Sequence, residues 1–189
     1  MIDEIAAQNA IRKLLSAFDI KNERHPDIEK TPERVVKMLM EVWQGEQYTN
    51  DDIADMFGKI FICEDKNMVI VSEIPCFSHC EHHLALIYNL KVSVGYLPNG
   101  KVIGLSKIAR IVDMVCRRLQ LQERICADIL EIMAKIIGND VIVYVEGEHS
   151  CMTARGIKKT GTVTKTIAYD GKFKEEIYRK EFFSMLRGV

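Results

Sequence analysis

Histidine and cysteine side chains cluster at two places in this sequence. Four of the five histidines lie beside a cysteine, in two short segments. Cys80 and His83 are three residues apart, so in a helical turn their side chains lie on one face. His149 and Cys151 are two apart, which in a strand also places both on one face. Thiolate sulfur and imidazole nitrogen are preferred zinc donors, so the two segments together predict a metal site.

The number of donors decides which kind of metal site is expected. Four protein donors would close a structural zinc site, whereas three donors and a water would make a catalytic one. Buried thiols and hydrogen-bonded histidines without any metal would account for the same residues. In the three-donor arrangement Glu81 and His82 remain free to hydrogen-bond a ligand histidine or to move protons.

Two further groups of residues predict the recognition of an anion and of a base. Ser106, Lys107 and Arg110 open a predicted helix, where unpaired backbone amides and the helix dipole favour a phosphate. Gln122 and Glu123 begin the next helix, and a carboxylate there can accept two hydrogen bonds from a guanine edge. Ordinary helix-start residues are the alternative explanation for this second pair.

Positive charge is also concentrated in two other segments. Residues 149–169 include Arg155 and contain no acid, and Arg34 and Lys37 share one face of a predicted helix. A solvated basic surface is the alternative explanation for both.

Composition limits the class of protein. A chain of 189 residues is close to one domain of about 150 residues with an N-terminal attachment. The net charge of −1 provides no global field for nucleic acid or an anionic membrane. No apolar run approaches the roughly 18 residues of a membrane span, and the N-terminus is acidic where a signal peptide is basic. We therefore expect a cytoplasmic protein with neither partner, and its six cysteines are read as thiols.

Hydrophobic periodicity predicts the elements that must position these groups. Thr31 and Ser106 are expected to cap helices, residues 98–100 to form a hairpin turn, and Gly138 to end a helix. The pattern indicates an antiparallel α+β domain over residues 61–189, preceded by a helical region over residues 1–60. The predicted helices cover 3–19, 31–44, 106–119, 122–137 and 174–186, and the predicted strands 68–74, 84–97, 102–103, 141–145 and 160–168.

Five segments together resemble the GTP cyclohydrolase I family. They are TPERVVKM (31–38), CEHH (80–83), GLSKIAR (104–110), QLQERI (120–125) and HSCMTARG (149–156). The resemblance implies the tunnelling fold, an antiparallel four-stranded sheet with a helical pair on one face, preceded by N-terminal helices. It also implies a homo-oligomeric ring, typically a decamer, with active sites between subunits.

The resemblance assigns roles to residues of this chain. It implies Zn²⁺ ligands at Cys80, His83 and Cys151, and proton transfer by His82 and His149. It places Glu123 and its neighbour Gln122 at the guanine, and Ser106 with His82 near the ribose. Triphosphate-binding positions fall on Arg34, Lys37, Ser106, Lys107, Arg110 and Arg155. Thr153 departs from family members that carry lysine there, which removes one positive charge.

The implied reaction is the conversion of GTP and water into 7,8-dihydroneopterin triphosphate and formate, the first step of tetrahydrofolate and pterin biosynthesis. Two alternatives fit part of the pattern. One is a nucleic-acid-binding module with a four-ligand structural zinc, which the near-neutral charge and Glu123 disfavour. The other is a relative acting on a different purine or pterin, such as a nitrile reductase or a pyruvoyl-tetrahydropterin synthase, whose site patterns differ from this Cys, His, Cys set.

Overall fold

The computed structural model describes residues 2–20 and 23–188. The chain divides into two compact units, with the boundary in the sequence between Gln44 and Gly45. The functional division that we place after residue 60 stays a prediction, although the structure assigns the helix at Asn50–Phe57 to the larger unit.

The helices are α1 Glu4–Ala17, α2 Thr31–Val42, α3 Asn50–Phe57, α4 Leu105–Cys116, α5 Gln122–Ile137, α6 Ser150–Thr153 and α7 Glu176–Arg187. The strands are β1 Ile60–Ile62, β2 Val69–Cys80, β3 Ala85–Tyr96, β4 Lys101–Ile103, β5 Leu119–Gln120, β6 Val141–His149 and β7 Thr164–Tyr169.

The smaller unit contains α1 and α2, which pack on each other. The carboxylate of Asp3 caps α1 by accepting a backbone N–H of its first turn at 2.9 Å. The prediction that the Thr31 hydroxyl caps α2 is wrong, because the cap position is Lys30 and no side chain caps the helix. A 3-10 turn, Ile28–Lys30, runs directly into α2, so Thr31 already has helical angles of φ −60° and ψ −43°.

The larger unit is organised around a mixed five-stranded sheet in the order β5-β2-β3-β6-β7. Neighbouring long strands are antiparallel, whereas β5 runs parallel to the end of β2. The α+β class is as predicted, but the sheet has one strand more than the predicted four and is not purely antiparallel. The extra strand arises because the connection from α4 to α5 passes beside His79 and Cys80 and pairs with them through Leu119 and Gln120.

The predicted hairpin after β3 does not form. The chain turns at Gly100, whose φ is +74°, but β4 pairs with β1 in a separate two-stranded sheet. The reason lies in the position of β3, since β2 and β6 already occupy both of its edges. A strand inside a sheet has no free backbone groups to offer a third neighbour.

Both faces of the sheet are covered. Val143 and Val145 of β6 join α4 and α5 in the main core on one face. Ile142, directly before Val143 in the strand, points to the other face, where it packs with Phe182 of α7. Gly95 of β3 permits this contact, because a Cβ there would lie 2.7 Å from the Phe182 ring. The sequence predicts a helix here but does not indicate which face of the sheet it covers.

The two central helices differ in how well their ends match prediction. The predicted Ser106 cap of α4 is wrong, since Gly104 holds the cap position and Ser106 is the second helical residue. β4 continues to Ile103 and leaves only Gly104 as a junction. In contrast, α5 spans the predicted residues and ends at Gly138, whose φ is +103°. No helix in the described part of the chain is long and apolar enough to cross a membrane.

Candidate metal and nucleotide site

Three of the predicted metal donors meet in the larger unit. Cys80 ends β2, His83 lies in the following turn and Cys151 is the second residue of α6. One donor atom from each lies within 4.8 Å of the other two. Cys80 is buried, Cys151 is partly buried and His83 is exposed, so the group opens towards solvent on the histidine side.

Strand β3 holds the two halves of this donor group together. Ala85 of β3 pairs with Cys80 on one side, and Ile87 pairs with His149 on the other. The turn between β2 and β3 brings His83 back over Cys80, with the His83 N–H donating to the Cys80 carbonyl at 3.3 Å. The predicted helical turn at 80–83 is therefore the reversal of a β-hairpin, with the same effect on the spacing of the two donors.

His149 is not part of the donor group found among the described residues. We predicted that a continuing strand would place His149 and Cys151 on one face, and this is wrong because the chain turns into α6 at Ser150. Cys151 consequently lies against Cys80, whereas His149 Nε2 lies 2.8 Å from Gln122 Oε1. The donor group found in the described part of the chain thus has three members, the number that catalytic zinc sites use, whereas structural zinc sites use four.

The electrostatics of the donor group suit a cation. Burial, together with the neighbouring Cys80 thiol, raises the pKa of Cys151, while Arg155 acts in the opposite direction. Two adjacent thiolates repel each other, so ionising both thiols is unfavourable unless a positive charge lies between them. A divalent ion would favour both thiolates, and two cysteines with one histidine form a known catalytic zinc set. The residues present therefore fit a zinc ion.

Gln122 is a buried connector between the sheet and His149. Its side chain is 1% exposed, and its amide nitrogen donates to the carbonyls of Val145 at 3.1 Å and Thr164 at 3.0 Å. Because the amide oxygen can only accept, the proton between Gln122 and His149 belongs to His149 Nε2. Burial lowers the pKa of His149, and the nearby Glu123 carboxylate opposes this shift.

An ion pair that the sequence did not reveal connects the turn that carries His83 to α5. Arg124 Nη1 donates to Glu81 Oε2 at 2.7 Å, and the Glu81 N–H donates to the Gln120 carbonyl at 3.1 Å. The hydrogen bond with Arg124 lowers the pKa of Glu81. Glu81 is thus paired with an arginine, whereas we expected it to be free for a ligand histidine. The two residues are too far apart in the chain for spacing to predict their contact.

The remaining predicted residues are distributed over both units. Ser106 and Arg110 are exposed in the first turns of α4, and the Lys107 ammonium lies 5.9 Å from the Phe57 ring centroid. Arg34 and Lys37 belong to the smaller unit, where Lys37 donates to an acid one turn earlier at 2.7 Å.

Two predicted residues stand at the edges of the metal group. His82 is exposed in the turn, with its ring edge-on to that of His83 at 6.2 Å between centroids. Arg155 is exposed just after α6, close enough to Cys151 to favour its thiolate. Glu123, whose carboxylate opposes the lowering of the His149 pKa by burial, is a third exposed polar residue near this group.

Comparison with known proteins gives one consistent family. The sequence pattern of GTP cyclohydrolase I matches residues 7–187. A protein of Clostridium acetobutylicum named GTP cyclohydrolase 1 is 52% identical over 181 residues, covering 93% of this chain and 92% of its own. A protein of the same name from Clostridium beijerinckii is 48% identical over 194 residues, covering 98% of each chain.

A similarity to a solved structure is weaker. The archaeosine synthase QueF-Like in its apo form superposes with a TM-score of 0.47 at 23% identity, over 57% of this chain and 97% of that one.

Proposed function

The chain belongs to the GTP cyclohydrolase I family and is a hydrolase, and we propose that it converts GTP and water into 7,8-dihydroneopterin triphosphate and formate with the help of zinc. The observation that carries this proposal is the three-donor group of Cys80, His83 and Cys151, adjacent to a histidine that is not a donor. A hydrolase needs a place for water beside the metal, and a three-donor set leaves one.

Cys80, His83 and Cys151 would hold the zinc ion. When bound, zinc lowers the pKa of a water molecule towards about 7 and so supplies a nucleophile for C8 of the guanine. The same chemistry is needed twice, once to open the five-membered ring to a formamide and once to release formate. The ribose then opens, rearranges and closes onto the freed amines with loss of one water.

His149 is the proton donor that we assign to N7 of the guanine. Its Nε2–H is engaged with Gln122, so Nδ1 faces the substrate and donates to N7 from the imidazolium form of the ring, which the Glu123 carboxylate favours. Gln122 is in turn held by two strand carbonyls, which fixes the imidazole before the substrate arrives. A preoriented acid at this position protonates N7 and thereby makes C8 more electrophilic towards the attacking water.

The start of α5 is the guanine-binding element in this proposal. The exposed carboxylate of Glu123 can accept two hydrogen bonds from the amide and amino groups of the base. The Gln122 side chain is buried and already hydrogen-bonded to the sheet and to His149. We therefore assign its contact with the guanine to the Gln122 backbone N–H, which at the start of the helix has no partner within α5.

In this proposal positively charged side chains bind the triphosphate, and His82 and Ser106 contact the ribose. The triphosphate-binding residues are Arg34, Lys37, Ser106, Lys107, Arg110 and Arg155. Binding energy from three phosphates offsets the cost of holding a flexible ring-opened intermediate in place. In the unliganded chain Lys37 is paired with Glu33, so the phosphate must compete with that carboxylate.

We further propose a homo-oligomeric ring, a decamer with active sites between subunits, acting in the cytoplasm at the start of folate or pterin synthesis. Residues 61–189 form the catalytic domain in this proposal. GTP is the expected substrate, and no nucleic acid or membrane is expected to bind.

The test is incubation of zinc-loaded protein with GTP. We expect formate in the medium and a fluorescent pterin after oxidation. His149→Ala should retain zinc and lose product, whereas Cys151→Ala should lose both. Cys63→Ser is the matched control, since Cys63 is a partly buried thiol outside the donor group and should keep full zinc content. Zinc-loaded protein that yields neither formate nor pterin would overturn the proposal.

Metal removal provides an independent check. Without a metal, the sulfurs of Cys80 and Cys151 remain adjacent, so aerated apoprotein should form a disulfide between them. Peptide mass spectrometry that finds both thiols free after prolonged aeration would contradict this expectation.

A further inference from the structure

We propose that Tyr88 and Thr153 are positioning residues for Cys151, and that their hydroxyl contact sets the affinity of the metal site. This inference rests on the metal site of the proposed function. It starts from the departure noted at Thr153, where some family members carry lysine. The structure places Thr153 inside the molecule, 8% exposed, as the last residue of α6.

The Tyr88 hydroxyl lies 2.8 Å from Thr153 Oγ1 and 3.2 Å from Glu148 Oε2. A phenol has one proton and a carboxylate can only accept, so all three groups are satisfied when Thr153 donates to Tyr88 and Tyr88 donates to Glu148. The other oxygen of Glu148 accepts from the Asn89 amide at 2.9 Å. The chain of hydrogen bonds therefore begins at α6 and ends on β3.

Helix α6 has only four residues, Ser150–Thr153, and cannot be stable by itself. It is held to β3 at both ends. Ser150 Oγ donates to the Leu86 carbonyl at 2.7 Å, and the Thr153 hydroxyl forms its hydrogen bond with the Tyr88 hydroxyl. Cys151 lies between these two attachments, so its sulfur position depends on them.

The same stretch of β3 fixes the other half of the donor group. Ala85 pairs with Cys80 in the adjacent strand, three residues before Tyr88. Residues 85–88 thus span the distance between Cys80 and Cys151, and the Tyr88 contact is the attachment at the Cys151 end. Loss of this contact would let α6 loosen without disturbing the β2–β3 pairing.

The test measures zinc affinity by equilibrium competition with a chromogenic chelator, without GTP. Tyr88→Phe and Thr153→Val each remove one hydroxyl at nearly constant volume. We expect each to weaken zinc binding about tenfold, at the low end of the range for residues that orient a metal ligand. Thr153→Ser keeps the hydroxyl and should bind zinc within about twofold of the native chain.

Tyr144→Phe is the matched control. Tyr144 is also a sheet tyrosine whose hydroxyl donates to a glutamate, at 3.0 Å, but it packs with Phe183 away from the donor group. It should leave zinc affinity unchanged. The cobalt-substituted Thr153→Val protein should also show an altered thiolate-to-cobalt absorption band, which a purely structural role away from the metal would not produce.

The outcomes separate the two proposals. If the native chain binds no zinc, the proposed metal site fails. If the native chain binds zinc and both Tyr88→Phe and Thr153→Val match it within twofold, the positioning role is refuted and the metal site stands. Should Tyr88→Phe not fold, Thr153→Val against Thr153→Ser decides the question alone.

Discussion

Loss of the Arg118 side chain should strongly destabilise the larger unit. Its guanidinium donates to Asp128 at 3.0 Å, Asn50 at 2.8 Å and the carbonyls of Tyr48 at 2.9 Å and Gly45 at 3.3 Å. It thereby connects α3, α5 and the chain just before β5. The side chains of the ion pair are 12% and 15% exposed, so water can replace little of this bonding.

The expected cost of Arg118→Met follows from what remains behind. The variant leaves the Asp128 carboxylate without its cation, and breaking a fully buried pair costs about 3 to 5 kcal/mol. Asp128 keeps the Gln120 amide at 3.0 Å and the Asn50 amide at 3.3 Å as donors. We therefore expect a loss near the lower limit, about 3 kcal/mol.

The control is a second ion-pair network that joins the same two helices. Lys135 of α5 contacts Asp51 of α3 and Glu131, each at 2.6 Å, but its side chain is 36% exposed. Solvent and salt screen such contacts. Lys135→Met should therefore leave the unfolding midpoint within experimental error of the native chain.

The assay is urea unfolding followed by far-ultraviolet circular dichroism at one fixed protein concentration, because the proposed assembly would make stability depend on concentration. Arg118→Met should lower the midpoint strongly and Lys135→Met should not. Arg118→Lys keeps the charge but not the planar fork, so it should fall between them. Equal midpoints for Arg118→Met and Lys135→Met would refute the argument that burial decides the difference.

Three further predictions concern a thiol, a glycine and a helix cap. Burial raises the pKa of Cys126 to about 11, so iodoacetamide at pH 8 should not modify this thiol in folded protein, as peptide mass spectrometry can check. Gly95→Ala should destabilise the fold by about 1 to 3 kcal/mol in urea unfolding, because the new methyl would lie 2.7 Å from Phe182. The hydrogen bonds from Thr49 lower the pKa of Asp52, so their stabilisation is present at neutral pH and is lost as the pH falls below about 4. Thr49→Ala should therefore reduce stability at pH 7 more than at pH 3, and equal losses at both would contradict this reasoning.

Local signals in the sequence predicted the elements that depend on neighbouring residues. Helix α5 was predicted from Gln122 to Ile137, with Gly138 after it, since the apolar spacing and the glycine both act within a few residues. The caps expected at Thr31 and Ser106 failed for a local reason too. The 3-10 turn runs directly into α2 at Thr31, and α4 begins at Leu105 right after its cap Gly104, so both hydroxyls lie inside their helices.

Strand pairing and the position of His149 could not be predicted in the same way. The apolar run at residues 102–103 correctly predicted the strand β4. Its pairing partner depended on which strands already occupied the edges of β3. The position of His149 depended on the backbone turning at Ser150, which moved it from the metal group to Gln122. Both outcomes are decided by contacts between residues far apart in the chain.

Residue type and order by themselves determined the family, the α+β class and the kinds of side chain available for chemistry, because these follow from composition, short spacings and short motifs. The family resemblance also implied the ligands Cys80, His83 and Cys151, whose donor atoms the structure brings within 4.8 Å of one another. Only the tertiary structure decided that His149 bonds Gln122, that Glu81 pairs with Arg124, and that Thr153 is buried against Tyr88. The physical reason is that hydrogen bonds and metal sites require positions within a few ångströms, and strand register, not sequence distance, sets those positions.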